Sequence, residues 1–161
     1  MSDFYEQLWH ELPLDRKAIF SRLKNGCNPK LLSYLAARFW VNEETDPNED
    51  LGFVFSLIPT GLPLQKADYF YKLYISCVLP CATLRLYTLD SVGNSICSST
   101  AVKLSFWGQS VQLKQLNNML IELGYEVLSD DQLSIDIPAK ILVKLGLTKG
   151  NYFNIVFSEH S

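Results

Sequence analysis

The chain has 161 residues, of which 48% are hydrophobic and 12% aromatic, and its formal net charge is −3. This composition excludes a disordered chain and predicts a single folded domain, residues 1–161, with a sizeable core. The mild excess of acid disfavours nucleic-acid binding, which usually needs a basic surface. No apolar run approaches the roughly 20 residues that cross a bilayer, and the first residues lack a secretory pattern, so we expect no membrane association and a cytoplasmic location.

Residues 1–41 predict a helical layer of three helices. Apolar residues recur at helical spacing from Phe4 to Leu12, and Pro13 ends this first helix. Asp15 is a suitable N-cap for a second helix that ends near Asn25 and buries Ile19, Phe20 and Leu23. The pair Asn28-Pro29 is typical of a helix start, and the apolar stripe that follows predicts a third helix: Leu31, Leu32, Leu35, Phe39 and Trp40.

Residues 42–50 predict an acidic loop. This segment contains five carboxylates and no base: Glu43, Glu44, Asp46, Glu49 and Asp50. One interpretation is a solvated loop that joins the helices to a sheet, and the other is an acidic patch for a basic partner or a divalent cation. The segment lacks the ligand spacing and the glycine of an EF-hand, so we predict no metal site.

Residues 51–107 predict an antiparallel meander. The β-rich runs 51–58, 67–79, 81–89, 95–100 and 101–107 are separated by turn residues, including the hairpin signal from Asp90 to Asn94. Many aromatic residues fall on these strands. Tyr69, Tyr71 and Tyr87 are candidate partner-binding residues because tyrosine combines a large ring with a polar hydroxyl, although cross-strand packing in an aromatic sheet is the favoured interpretation of such residues.

Residues 108–161 predict a helix followed by a closing strand-helix-strand unit. Ser110 can cap a helix with the apolar face Val111, Leu113, Leu116, Met119, Leu120 and Leu123, and Gly124 ends it. The closing unit comprises strands at 124–127 and 133–138, a helix from Ala139 to Leu145, a turn, and a last strand from Tyr152 to Phe157.

The order of motifs at residues 133–157 carries a resemblance to a known family. Ile137-Pro138 precedes a short helical pattern, and then follow Leu145-Gly146-Leu147, Lys149-Gly150 and a β-rich run. This segment resembles the swapped-hairpin half of AbrB and MazE-type proteins. The resemblance implies strand exchange between two copies of the chain, hence a homodimer, and DNA contacts through Lys140 and Lys144. Where that family carries basic residues before Ile-Pro and an arginine early in the helix, this chain has Ser129-Asp130-Asp131-Gln132 and Ile141.

A search for catalytic patterns gives no candidate residues. The only histidines are His10 and His160, and no nucleophile elbow, Walker A or zinc-protease pattern is present. The four cysteines, Cys27, Cys77, Cys81 and Cys97, lack metal-binding spacing and are expected to be free thiols. The sequence therefore predicts no enzyme activity, no cofactor and no metal.

We expect an α+β domain with a helical N-terminal layer, an antiparallel sheet, and a C-terminal helix and β-α-β-like unit packed on the sheet. The main functional hypothesis is a noncatalytic interaction protein that binds and occludes a protein partner, in the manner of an immunity protein or antitoxin. One alternative is an AbrB-like DNA-binding regulator. Another is a small-ligand-binding protein or enzyme with an aromatic pocket.

Overall fold

The computed structural model describes residues 16–48, 50–60, 69–89, 95–98, 110–145 and 149–157. The helices are α1 (Arg16–Asn25), α2 (Pro29–Arg38), α3 (Ser110–Glu122), α4 (Asp130–Leu133), α5 (Ala139–Leu145) and α6 (Tyr152–Val156). The strands are β1 (Phe39–Glu43), β2 (Gly52–Pro59), β3 (Tyr69–Ser76), β4 (Cys81–Leu89), β5 (Ser95–Ser98) and β6 (Glu126–Val127). Helices and a largely antiparallel, open sheet confirm the predicted α+β class.

The third predicted helix begins where its capping signal lies. The side chain of Asn28 accepts a hydrogen bond from the backbone N–H of Lys30 at 2.9 Å, which stabilises the first turn of α2. Leu31 and Leu35 are fully buried, as the apolar stripe predicts. In α1, Ile19 is buried, but Phe20 is exposed, so its predicted burial is wrong. The helix predicted for residues 4–12 lies outside the described residues.

The helical layer ends earlier than the predicted boundary at residue 41. The backbone becomes extended at Phe39, and residues Phe39–Glu43 form strand β1 instead of a last helical turn. The run Phe39-Trp40-Val41 is aromatic and β-branched, which favours an extended backbone, and antiparallel pairing with β2 supplies its hydrogen bonds. The periodic apolar stripe could not distinguish these two conformations.

Strands β1 to β5 are antiparallel neighbours in chain order, which confirms the predicted meander. Strand β6 adds a parallel pairing with Cys81 and Ala82 at the start of β4, whereas β5 pairs with Leu86–Leu89. Because β3 occupies the other side of β4, β5 and β6 share one side of that strand. The predicted strand 101–107 lies outside the described part of the chain.

The register assigns each side chain to one of two sheet faces. One face carries Phe55, Leu57 and Leu73; we call it the α1 face because α1 contacts β2 and lines a cleft with Phe53. The opposite face carries Tyr74, whose ring contacts Phe153 of α6 and Phe157 directly after this helix, and we call it the α6 face. Both faces of the sheet are buried where α6 lies.

Helices α3 and α5 match their predicted positions. Leu113, Leu116 and Leu120 of α3 are buried, and Gly124, two residues after the helix, has a φ of +91°. The N–H of Gly124 bonds to the carbonyl of Ile121, and the N–H of Tyr125 to that of Leu120, which is the Schellman pattern of a C-terminal glycine. None of the described helices combines the length and apolar character needed to cross a bilayer.

Two predicted strands of the closing unit are wrong. Residues Asp130–Leu133 form α4 and Tyr152–Val156 forms α6, and among the described residues an isolated bridge between Asp136 and Asn151 is the strand-like pairing that links the two segments. Reciprocal capping hydrogen bonds explain both helices. They link Ser129 with Gln132, and Asn151 with Asn154. Gly146 lies outside the described residues.

Candidate functional site

Two acids of the predicted acidic loop form the turn between β1 and β2. A carboxylate oxygen of Asp50 accepts a hydrogen bond from the N–H of Asp46 at 2.7 Å, and the N–H of Asp50 donates to the carbonyl of Asp46 at 2.7 Å. The side chain of Asp46 also accepts from the N–H of Asn48 at 2.9 Å. Asp50 is only 8% exposed. These two carboxylates therefore shape the connection, and Glu49 lies outside the described residues.

Glu43 and Glu44 lie on opposite faces of the sheet. Glu43 pairs with Phe55 on the α1 face, and it lines a cleft of about 750 Å³ with Lys17, Lys24 and Phe20 of α1. Glu44 lies on the α6 face, where a carboxylate oxygen is 3.2 Å from Nζ of Lys72. The four described acids of the loop therefore do not form one contiguous patch.

The charge of Glu44 is maintained by its neighbours. Partial burial favours the neutral acid, but the Ser56 hydroxyl, the Lys72 ammonium and the Asn42 amide outweigh burial and lower the pKa of Glu44. Glu44 is therefore an ionised acceptor at neutral pH, held in position beside the sheet.

The three candidate tyrosines have different positions. Tyr71 is 1% exposed and packs on the α1 face, so a partner-binding role for this residue is wrong. Tyr87 is half-buried on the α6 face and stacks on Phe70, with ring centroids 5.3 Å apart. Nζ of Lys72 lies 5.2 Å from the centre of the Tyr87 ring. The side chain of Tyr69 lies outside the described residues.

Helix α6 covers only one half of its sheet face. Over that half, the rings of Tyr74 and Phe153 meet edge to face at 5.0 Å, and the guanidinium of Arg85 lies 3.6 Å from the centre of the Phe153 ring. The other half remains accessible, and we call it the open half-face. It consists of Trp40, Ile58, Phe70, Lys72 and Tyr87.

The open half-face combines apolar rings with a fixed ion pair. Trp40 is 52% exposed, and a shallow concavity of about 370 Å³ lies between Trp40, Ile58, Phe70 and Glu44. Aromatic rings give large contact area at a low entropic cost, and the Lys72–Glu44 pair adds a donor and an acceptor at the rim. This arrangement suits recognition of another surface. In the described part of the chain, no cluster of three or more His, Cys, Asp or Glu side chains could hold a metal ion.

The sequence predicts Tyr87 of the open half-face and the neighbouring Glu44, but not Trp40, Ile58, Phe70 or Lys72. Trp40 was assigned to a helix, and the strand register that brings Ile58 and Lys72 onto its face depends on long-range pairing. The available signal was the β-favouring run from Phe39 to Val41 directly after a helix.

Cys27, Cys77 and Cys81 are free and buried, which confirms the expected thiols at these positions. Burial raises the pKa of Cys27 and of Cys77 to about 11 and that of Cys81 to about 12. Few of these thiols are ionised at neutral pH, so they are poor nucleophiles. Their role is packing in the core.

These thiols predict a decline in stability at high pH. In the unfolded chain a thiol ionises near pH 8.5, whereas the folded chain keeps its protons to a higher pH. Stability is therefore complete below about pH 8.5 and falls as the pH rises towards 11, because the unfolded state then binds fewer protons. Urea unfolding at pH 8 and pH 10 measures this loss. Alkylation of the three thiols in the native protein at pH 8, at the rate found in urea, would contradict their burial.

Comparisons with known proteins give no relative: no family model matches the chain, and no curated protein or solved structure is significantly similar to it.

Proposed function

We propose that the chain is a noncatalytic interaction protein whose open half-face binds a protein partner. The observation that carries this proposal is the accessible cluster of rings around the Lys72–Glu44 ion pair, on a face that is otherwise covered by α6. Trp40 is the most exposed ring of this cluster, and tryptophan and tyrosine are enriched among residues that dominate binding energy.

An immunity or antitoxin role is the form of this function that the acidic residues favour. Glu43 and Glu44 lie at the edge of the sheet, and they are the acids of the predicted loop that remain exposed in the described structure. A basic surface on a toxin would complement them, with the rings of the open half-face filling the centre of the contact. The partner's active site would be blocked without any chemical step in this chain.

The test is partner capture from the native host, with three variants compared in parallel. Phe70→Ala and Tyr87→Ala remove rings from the open half-face, whereas Ile121→Ala removes a side chain that is 61% exposed on α3, away from the face. We expect the first two changes to raise the Kd of the purified partner at least about tenfold. Ile121→Ala is expected to leave it unchanged, and all three variants should fold.

Two results would overturn this function. One is a partner that binds the two ring variants as tightly as the wild-type chain. The other is a wild-type chain that captures no protein under conditions in which a known complex from the same extract is recovered.

A further inference from the structure

We propose that the cleft between α1 and the β1–β2 hairpin binds a small zwitterion with an apolar side group, of which free phenylalanine is an example. The cleft lies on the α1 face of the sheet, whereas the rings of the open half-face lie on the opposite side. This second site therefore does not rest on the proposed function.

The cleft has the size and the apolar lining of a small-molecule site. Its volume is about 750 Å³, and ligand pockets in proteins measure roughly 300–1,000 Å³. The buried Phe53 and the half-buried Leu23 lie at its base, and Phe20 of α1 lies at its rim with 42% of its surface exposed. An aromatic ring bound here would cover Phe20 and contact Phe53, which removes apolar surface from water.

Helix α1 gives one wall of the cleft a positive charge. This helix contains four basic residues and no acid, although the net charge of the chain is −3. Lys17 and Lys24 line the cleft, and their positions are about 10 Å apart along the helix axis. Lys24 is exposed, and none of the described acids forms an ion pair with it. Its ammonium group is available to a carboxylate of the ligand.

The opposite wall carries a carboxylate that is held in position. The hydroxyl of Thr45 donates to a carboxylate oxygen of Glu43 at 3.2 Å, and it accepts a hydrogen bond from the N–H of Val54 at 3.1 Å. Thr45 thus links the Glu43 side chain to strand β2. A carboxylate has about four acceptor positions, so one hydrogen bond leaves Glu43 able to accept from the ammonium group of a ligand.

These two charges identify the class of ligand. Lys24 and Glu43 both belong to the described residues and both line the cleft, but they do not form an ion pair with each other. An organic anion would pair with Lys24 and bring a like charge towards Glu43, and an amine would do the reverse. A zwitterion satisfies both side chains without adding net charge, and its apolar group can lie on Phe53. Charge complementarity therefore selects a free amino acid over a fatty acid or an amine.

Three probes that differ in one charge test this assignment. Phenylalanine carries both charges, N-acetylphenylalanine lacks the ammonium group, and phenylalaninamide lacks the carboxylate. An NMR titration of the native chain should give a Kd for phenylalanine of about 1 mM or lower, the strength expected of a ligand with so few atoms. Each blocked analogue should bind at least about tenfold more weakly, because one charged side chain then loses its partner.

Two variants assign each charge to its side chain. In Glu43→Gln, phenylalanine and N-acetylphenylalanine should bind within about threefold of each other, and phenylalaninamide should be the weakest probe. In Lys24→Gln, phenylalanine and phenylalaninamide should bind within about threefold of each other, and N-acetylphenylalanine should be the weakest. Lys30→Gln and Glu122→Gln change exposed residues of the same types on α2 and α3, and they should preserve the wild-type order.

The apolar part of the site has its own test. Free alanine carries the same two charges as phenylalanine but has no ring, so it should bind at least about tenfold more weakly. Phe20→Ala should raise the Kd of phenylalanine more than that of alanine, since the variant removes a contact that only the ring makes. Because Phe20 is 42% exposed, this variant should fold.

Three results would overturn the site. The first is an NMR titration in which phenylalanine up to roughly 10 mM causes no saturable shifts. The second is equal binding of phenylalanine and either blocked analogue by the wild-type chain, which would show that the missing charge is not recognised. The third is saturable shifts confined to the open half-face, with none at Phe20, Leu23 or Phe53. Partner capture with the ring variants of the open half-face tests the proposed function separately.

Discussion

Replacement of Gly52 by alanine is expected to destabilise the fold by about 3–5 kcal/mol. A Cβ atom at this position would lie 2.0 Å from the carbonyl oxygen of Ile75 and 2.8 Å from the Cα of Ser76. Both are backbone atoms of the neighbouring strand, so no side-chain rotation relieves the clash. Strand β2 would have to separate from β3 at a point where both faces of the sheet are buried.

Gly124→Ala is the matched control. Its Cβ would meet no atom within 4 Å, so the cost is limited to the left-handed backbone conformation, about 1–2 kcal/mol. Urea unfolding of both variants gives the difference directly. A Gly52→Ala protein as stable as Gly124→Ala would show that β2 and β3 do not approach each other this closely.

Replacement of Phe153 by alanine is expected to cost a similar amount, about 3–5 kcal/mol. The ring is fully buried and contacts Tyr74 edge to face, Phe157 at 5.5 Å and the guanidinium of Arg85. Its removal leaves a cavity between α6 and the sheet, and Arg85 loses the aromatic face on which its charge rests.

Phe153→Leu separates these contributions. Leucine refills much of the cavity but provides no aromatic face, so we expect it to recover more than half of the lost stability. Chemical unfolding of the two variants measures the recovery. Equal losses for alanine and leucine would instead assign most of the stability at this position to the aromatic contacts.

The elements that the sequence predicts correctly are those with local signals. The Asn28-Pro29 start of α2, the apolar face of α3 and the stop at Gly124 each depend on residues within a few positions of one another. The meander could also be predicted from the sequence, because strands that follow one another in the chain usually pair as neighbours in the sheet.

The errors have a common physical origin. Phe39-Trp40-Val41 and Tyr152-Phe153-Asn154-Ile155-Val156 are apolar runs too short for periodicity to separate helix from strand. Capping by Asn151 and Asn154 makes the second run a helix, and pairing with β2 makes the first a strand. The open half-face could not be predicted, since it exists only because α6 is a short helix that covers part of a sheet.

The hydroxyl of Ser76 has a consequence for the order of folding. It donates to the carbonyl of Val156 at 2.7 Å and accepts from the N–H groups of Val78 and Leu79, so one buried atom joins α6 to the connection between β3 and β4. The two residues of the first bond are 80 positions apart. Closing a hairpin brings together residues that are near in sequence and therefore costs less chain entropy than docking α6. The meander can thus form before α6 docks on it. Until α6 docks, the part of the sheet around Tyr74 is exposed. It then presents an aromatic surface similar to the open half-face of the native protein.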